Sequence, residues 1–192
     1  MKTTVLGCGR WGSFLAWYAN KIGHKVFLWG QPDSKNLNEL IKTRQNNFLA
    51  LDEDIIISSD LEQALDFSNC ILISISSQNL RNLMVNISKY DLSGKTIVLC
   101  MKGLEESTGK RLSEVVAEYV PCTTQIAIWV GPGHVQDFIN GIPNCMVIDC
   151  HCEKTKKKLV RRFSSSLIRF YYGSDMIGNE LGAATKNIIG IA

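Results

Sequence analysis

The chain has 192 residues, 45% of them hydrophobic and 20% charged, with a net charge of +3. That size suits one soluble globular domain with a sizeable core, or one domain and part of a second. The small positive balance, with basic residues that do not interleave with aromatics, speaks against nucleic acid. No apolar run has the length of a bilayer span or the plan of a signal peptide, which speaks against membrane insertion.

A short apolar run at 3–6 predicts the first strand, and it leads into Gly7-Cys8-Gly9-Arg10-Trp11-Gly12. Behind this Gly-x-Gly-x-x-Gly turn, Trp11, Phe14, Leu15, Tyr18, Ala19 and Ile22 recur at three- and four-residue steps, so a helix is expected over 12–22. Strand, glycine turn and helix in this order point to dinucleotide binding. Gly7 permits the tight turn, Gly9 lets bare backbone approach a pyrophosphate, and Gly12 lets the helix pack close to the strand. The free N–H groups of the helix start then face the phosphates. The second strand, 25–29, ends in Gly30-Gln31-Pro32-Asp33. A carboxylate that would bond a ribose 2′-hydroxyl is missing at the strand end, so the sequence tolerates NADP and does not select between NAD and NADP. Gln31 reads either as cofactor wall or as an ordinary turn residue.

Further strands are expected at 55–58, 70–74, 96–100, 125–130, 145–149 and 168–172, and helices at 36–44, 61–65, 79–88, 111–120, 135–140, 153–165 and 179–191. Such alternation argues for an α/β fold: a mainly parallel sheet with helices on both faces. Ser76 and Ser77, after the fourth strand, lie either beside the cleft or as caps of the next helix, with capping the favoured reading. On 153–165, Lys154, Lys156, Lys157, Lys158, Arg161 and Arg162 form a wet face, with Leu159, Val160 and Phe163 turned inward. Seven cysteines, an odd number set mostly in apolar runs, fit free thiols in a reducing cytoplasm. Cys150-His151-Cys152 has no second ligand pair at zinc-like spacing, so no metal is expected. A homodimer is compatible with these properties and not required by them.

Two lysines stand out. Lys102 follows a buried strand, where it would point at the ligand crevice. Lys186 sits among Ala183, Ala184 and Asn187 on the last helix, which is apolar or small almost all round and is expected to be buried. Burial there, and a like charge from Lys102 if the two converge, would lower the Lys186 pKa toward the range useful for proton transfer. Taken alone, each lysine reads equally as a snorkelling surface residue. A helix of this kind should open a second domain, so its stop at Ala192 suggests a shortened chain or a covering partner.

In order, the motifs are Gly7-x-Gly9-x-Trp11-Gly12, Leu28-Trp29-Gly30, Lys102-Gly103-Leu104-Glu105, Gly131-Pro132 with Asp137 and Gly141-Ile142-Pro143, and Gly182-Ala183-Ala184-Thr185-Lys186-Asn187. Together they resemble the bacterial-type NAD(P)-dependent glycerol-3-phosphate dehydrogenases, over essentially the whole chain. The resemblance implies a Rossmann-type NAD(P)-binding domain over 1–175 and, over 176–192, the first helix of an all-helical substrate domain. It implies reversible hydride transfer between NAD(P)H and dihydroxyacetone phosphate to give sn-glycerol 3-phosphate. Lys186 matches the family's proton donor and acceptor, and Lys102 a lysine that meets substrate and cofactor. Arg10, Trp11, Gln31 and Val135 fall at cofactor-contacting positions; Gly131, Gly133 and Asn187 fall at substrate-contacting ones. Gly131-Pro132-Gly133-His134-Val135 departs from the family's Gly-Pro-Ser or Gly-Pro-Thr followed by an aromatic and Ala, so a hydroxyl is lost at 133. His134 reads as a packing or loop residue. The arginine that grips substrate phosphate belongs to the helical domain. Two rival readings are a stand-alone, non-catalytic NAD(P)-binding module and a related two-domain hydroxy-acid dehydrogenase.

Overall fold

The computed structural model describes residues 1–191, apart from the side chains of Asn187 and Ile188. Eight strands form one sheet: β1 (Lys2–Leu6), β2 (Lys25–Trp29), β3 (Ile56–Ser58), β4 (Cys70–Ile73), β5 (Thr96–Leu99), β6 (Gln125–Val130), β7 (Asn144–Cys150) and β8 (Ile168–Tyr172). The helices are α1 (Arg10–Lys21), α2 (Lys35–Thr43), α3 (Leu61–Phe67), α4 (Leu80–Ile87), α5 (Leu112–Ala117), α6 (Val135–Ile139), α7 (Glu153–Phe163) and α8 (Met176–Ile189). The strand order is β3-β2-β1-β4-β5-β6-β7-β8. Every neighbouring pair is parallel except β6 and β7, which run antiparallel. The order reverses at β1, flanked by β2 and β4, and a crevice opens beyond strand ends at such a switch point.

Side-chain alternation explains the two faces. Val5, Val26, Leu28, Leu72, Val98, Ala127 and Trp129 turn toward α1, α2, α6 and α7 and share a core with Phe14, Tyr18, Phe138 and Phe163. Their neighbours Leu6, Phe27, Ile71, Ile73, Ile97, Leu99 and Ile128 turn the other way, toward α3, α4, α5 and α8. Ser34 caps α2 and Asp60 caps α3, each accepting from a backbone N–H three residues on. Ser76 and Ser77 do not act in this way. No side-chain cap bond is made by Ser76, and the Ser77 hydroxyl accepts instead from the Gln78 amide at 3.1 Å. They sit in a single 3₁₀ turn ahead of α4, where the chain bends back over the crevice.

Two expectations about the helices need correction. Lys156 does not belong to the wet face of α7. It is buried, donating to the Gly173 carbonyl at 2.5 Å and lying 3.4 Å from the Asp149 carboxylate. A charge can be taken inside on those terms because a fixed acceptor and a counter-charge await it. The last helix is not surrounded by apolar neighbours either. Met176 and Glu180 are buried, while Ile177, Leu181 and Ile189 are exposed. A helix laid on one face of one sheet covers only a narrow stripe, and here the stripe is Met176, Glu180 and Ala183.

His24 adds a pH-sensitive element to this core. The ring is buried, its Nδ1 lies 2.8 Å from the Thr3 hydroxyl, and its Nε2 has no partner. Desolvation, then the charges of Arg162 and the N-terminus, lower its pKa from 6.5 to about 4. The unfolded chain therefore takes up this proton first, so stability is present above about 6.5 and is lost as pH falls toward about 4. Urea unfolding on either side of this window should show that loss, and His24→Gln should flatten it.

Candidate active site

The crevice at the β1 switch point is a cavity of about 1080 Å³, walled by the carboxyl ends of the parallel strands and the turns that follow them. Its floor is the glycine turn. Gly7 has φ +116°, and a Cβ there would lie 2.2 Å from the Ser74 carbonyl oxygen at the end of β4. A Cβ on Gly12 would lie 1.8 Å from the Gly7 carbonyl oxygen. Both positions therefore bring backbone against backbone, and α1 starts hard against β1. Gly9 faces open space. It stands at the N-cap of α1 and carries no side chain to cap it, so first-turn N–H groups are left for a ligand. Arg10 projects from this turn with its guanidinium 4.3 Å from the Phe48 ring centre.

The far end of the cavity belongs to Lys102. Its amine donates to the Gly131 carbonyl at 2.9 Å, across the gap between the β5 and β6 ends. Desolvation first, and then the like charge of Lys186, lower the Lys102 pKa. Lys186 itself stands exposed on the last turn of α8 and not buried as expected. No Asp or Glu is among the lining residues; the cations there are Arg10 and Lys102. Among the described residues no group of three or more His, Cys, Asp or Glu could hold a metal ion. No helix among them is long and apolar enough to cross a membrane.

Two buried polar contacts fix α8, and with it the backbone that carries Lys186. The Glu180 carboxylate accepts from the Ser113 N–H at 3.0 Å, the Ser113 hydroxyl at 2.5 Å and Arg111 at 2.9 Å. One residue earlier, the Asn179 amide donates to Asp149 at 2.9 Å. Sequence reasoning passed over both. The available signal was a carboxylate alone in an otherwise apolar helix, which must find donors or stay in water.

Comparison with known proteins now becomes decisive. The family model for the N-terminus of NAD-dependent glycerol-3-phosphate dehydrogenase matches residues 2–156. The chain belongs to this family. A glycerol-3-phosphate dehydrogenase [NAD(P)+] of Pelodictyon phaeoclathratiforme is 36% identical over 197 residues, covering 100% of this chain and 59% of the relative. One of Thermoanaerobacter sp. is 32% identical over 194 residues, covering 100% and 58%. The crystal structure of glycerol-3-phosphate dehydrogenase from Coxiella burnetii superposes with a TM-score of 0.90 at 27% identity, over 99% of this chain and 59% of that one. The chain therefore spans somewhat over half the length of the relatives it matches.

Of the positions implicated by resemblance to the glycerol-3-phosphate dehydrogenase family, Gly7, Gly9, Arg10, Trp11, Gln31, Lys102, Gly131 and Gly133 line the cavity. Gly12 is buried beneath it. The Val135 side chain is in the core at the start of α6 and takes no part in the wall. Lys186 also stands outside the wall. The side chain of Asn187 lies outside the described residues. His134 is exposed at the N-cap of α6 and makes no cap bond.

The two glycines of the turn separate fold from binding. Gly12→Ala forces backbone apart and should lower the melting temperature by several degrees, an effect of about 1–3 kcal/mol. Gly9→Ala adds a Cβ that meets no protein atom, so it should lower the melting temperature less than Gly12→Ala does. A ligand diphosphate on this loop would meet the new side chain, so NADH titration by Trp11 and Trp29 fluorescence should show affinity reduced about tenfold or more.

Proposed function

We propose that this chain is the cofactor-binding part of an NAD(P)-dependent glycerol-3-phosphate dehydrogenase, which interconverts dihydroxyacetone phosphate and sn-glycerol 3-phosphate. The nicotinamide, when bound, supplies or accepts the hydride. The glycine turn holds the diphosphate on main-chain N–H groups. Gln31 and Ser34, with no carboxylate near them in the cavity wall, admit either NAD or NADP. The Lys102 ammonium stabilises negative charge growing on the substrate carbonyl oxygen. Lys186 gives that oxygen its proton in reduction and takes it back in oxidation. Backbone N–H at Gly131 and Gly133, and the Asn187 amide, hold the substrate. Residues 1–175 form the cofactor domain and 176–192 begin the helical substrate domain. Seven free thiols support a cytoplasmic setting.

The single observation that carries this reading is the Lys102 amine at the cavity rim, bonded to Gly131 and sensing Lys186. The exposed Lys186 favours a second reading, in which these 192 residues bind cofactor without turnover. Steady-state oxidation of NADH and NADPH with dihydroxyacetone phosphate separates the two, measured on this chain and on a chain extended by the C-terminal part of a relative. Turnover is expected in the extended chain. There Lys186→Met should lower kcat about 100-fold or more with NADH affinity unchanged. Unchanged turnover in that variant would remove Lys186 from the mechanism.

A further inference from the structure

The turn between β4 and α4 grips the loop that carries Lys102, and it does so through one side chain that reads backbone. The Gln78 amide nitrogen donates to the Leu104 carbonyl at 2.9 Å, and the Gln78 amide oxygen accepts from the Glu106 N–H at 2.9 Å. A pair of bonds from one planar amide to residues two apart, Leu104 at an isolated bridge and Glu106 at the start of a turn, fixes both the height and the tilt of the loop. The grip lies next to Lys102. Between the two stands Gly103, with φ +126° and a Cβ position only 3.0 Å from the Ser77 hydroxyl. Lys102 in turn reaches Gly131. A short path of defined geometry therefore leads from the 3₁₀ turn ahead of α4 to the amine.

A second contact fastens the same loop for a different purpose. Arg81, on α4 itself, takes the Glu105 carboxylate with two parallel bonds at 2.7 and 2.8 Å, and Thr108 donates to the same carboxylate at 2.5 Å. Glu105 is buried. A bidentate pair with a buried carboxylate is a stability element, because breaking it strands a charge. Gln78 is exposed, and water can replace either of its bonds at small net cost. Its two bonds are therefore poorly placed to hold the fold and well placed to hold a loop.

We propose that Gln78 is a positioning residue for Lys102: its side-chain amide, paired with the Leu104 carbonyl and the Glu106 N–H, sets the loop so that the Lys102 amine stays over the cavity against Gly131. The proposal rests on the reading that Lys102 meets substrate and cofactor. In the same turn, Asn79 and Asn82 line the cavity while Gln78 and Arg81 face the loop. One helical turn thus shapes both the cofactor wall and the placement of the amine.

The test follows the Lys102 amine itself. The protein is labelled with 13C-lysine, the Cε–Hε signals are followed against pH, and Lys102 is assigned by its disappearance in Lys102→Arg. Desolvation and Lys186 hold this amine below the ordinary lysine value as long as it stays in place. In Gln78→Met, which keeps the volume and loses both bonds to the loop, the Lys102 midpoint should rise toward the ordinary lysine value while the melting temperature stays put. Gln78→Leu also loses both bonds and adds no charge beside the amine, and should give the same shift, so the question stays open to decision if one variant folds poorly. A Lys102 midpoint identical in wild type and either folded variant overturns the proposal. So does a wild-type Lys102 that titrates with the other lysines. The titration needs neither cofactor nor substrate, so absence of dehydrogenase activity would count against the proposed function and leave this result standing.

Discussion

Gly7 and Gly12 lie so close that a methyl group on Gly12 would stand 1.8 Å from the Gly7 carbonyl oxygen, and α1 can reach the end of β1 only on those terms. Much else follows from this approach. The Gly7 N–H is spent on the Trp29 carbonyl of β2 at 2.9 Å, and the Ser74 N–H on the Leu6 carbonyl at 2.8 Å, so the three strand ends are tied together beneath the turn. The helix start is then aimed at the space above them. A side chain at Gly12 would lift α1 off the end of β1 and turn its uncapped N–H groups away from the crevice, and one at Gly7 would collide with the Ser74 carbonyl. Backbone packing and ligand recognition are one constraint here, expressed at two neighbouring glycines.

The distribution of charge complements that geometry. No Asp or Glu is among the residues that line the cavity, while Arg10 and Lys102 stand at opposite ends of it. Several acids of the surrounding elements are engaged in fastening contacts: Glu105 and Glu118 on Arg81, Glu180 on Arg111, Asp149 on Lys156 and Asn179. Arg81 and its partners hold the Glu105 and Glu118 carboxyls at a pKa of about 2, so these fasteners remain ionised throughout the neutral range. Carboxylates inside the crevice would repel an anionic ligand and would draw the Lys102 ammonium away from the Gly131 carbonyl. Set outside, they fix the loops and the helix that carry the cations.

The sequence made the sheet legible because most strands are compact apolar runs followed directly by Gly or Ser. Strand ends fell within a residue or so of the periodicity, as at 25–29 and 168–172. The glycine turn was legible for the same reason: its spacing has a steric meaning that no other residue type satisfies. What escaped were contacts between segments far apart in the chain. Glu180 and Ser113 are 67 residues apart, and Gln78 and Leu104 are 26 apart. Nothing in the local pattern around either pair announces the other. Lys156 failed for a related reason: helical periodicity places it beside four exposed basic neighbours, Lys154, Lys157, Lys158 and Arg161, and only the fold brings Asp149 and the Gly173 carbonyl beneath it. Lys186 shows the opposite error. Apolar neighbours in sequence suggested burial, yet α8 meets the sheet on one stripe and turns that lysine outward.

The departure at Gly133 has a packing logic of its own. A Cβ at this position would fall 2.3 Å from the Phe138 ring. That ring is fully buried and stacks on Phe14 at 5.1 Å with an interplanar angle of 15°, while Trp11 of the glycine turn lies 6.4 Å from it. The aromatic group at 138 thus occupies the volume that a serine or threonine side chain at 133 would need. The two positions are coupled: restoring the hydroxyl alone would push an aromatic ring into a core with no spare room. Because Phe138 leans on the same α1 face that carries Trp11, such a push would reach the cofactor turn as well. In this chain, then, positions 131 and 133 offer only main-chain groups to the cavity they line. The hydroxyl that the family usually presents there has given way to a continuous aromatic stack from α6 to the glycine turn.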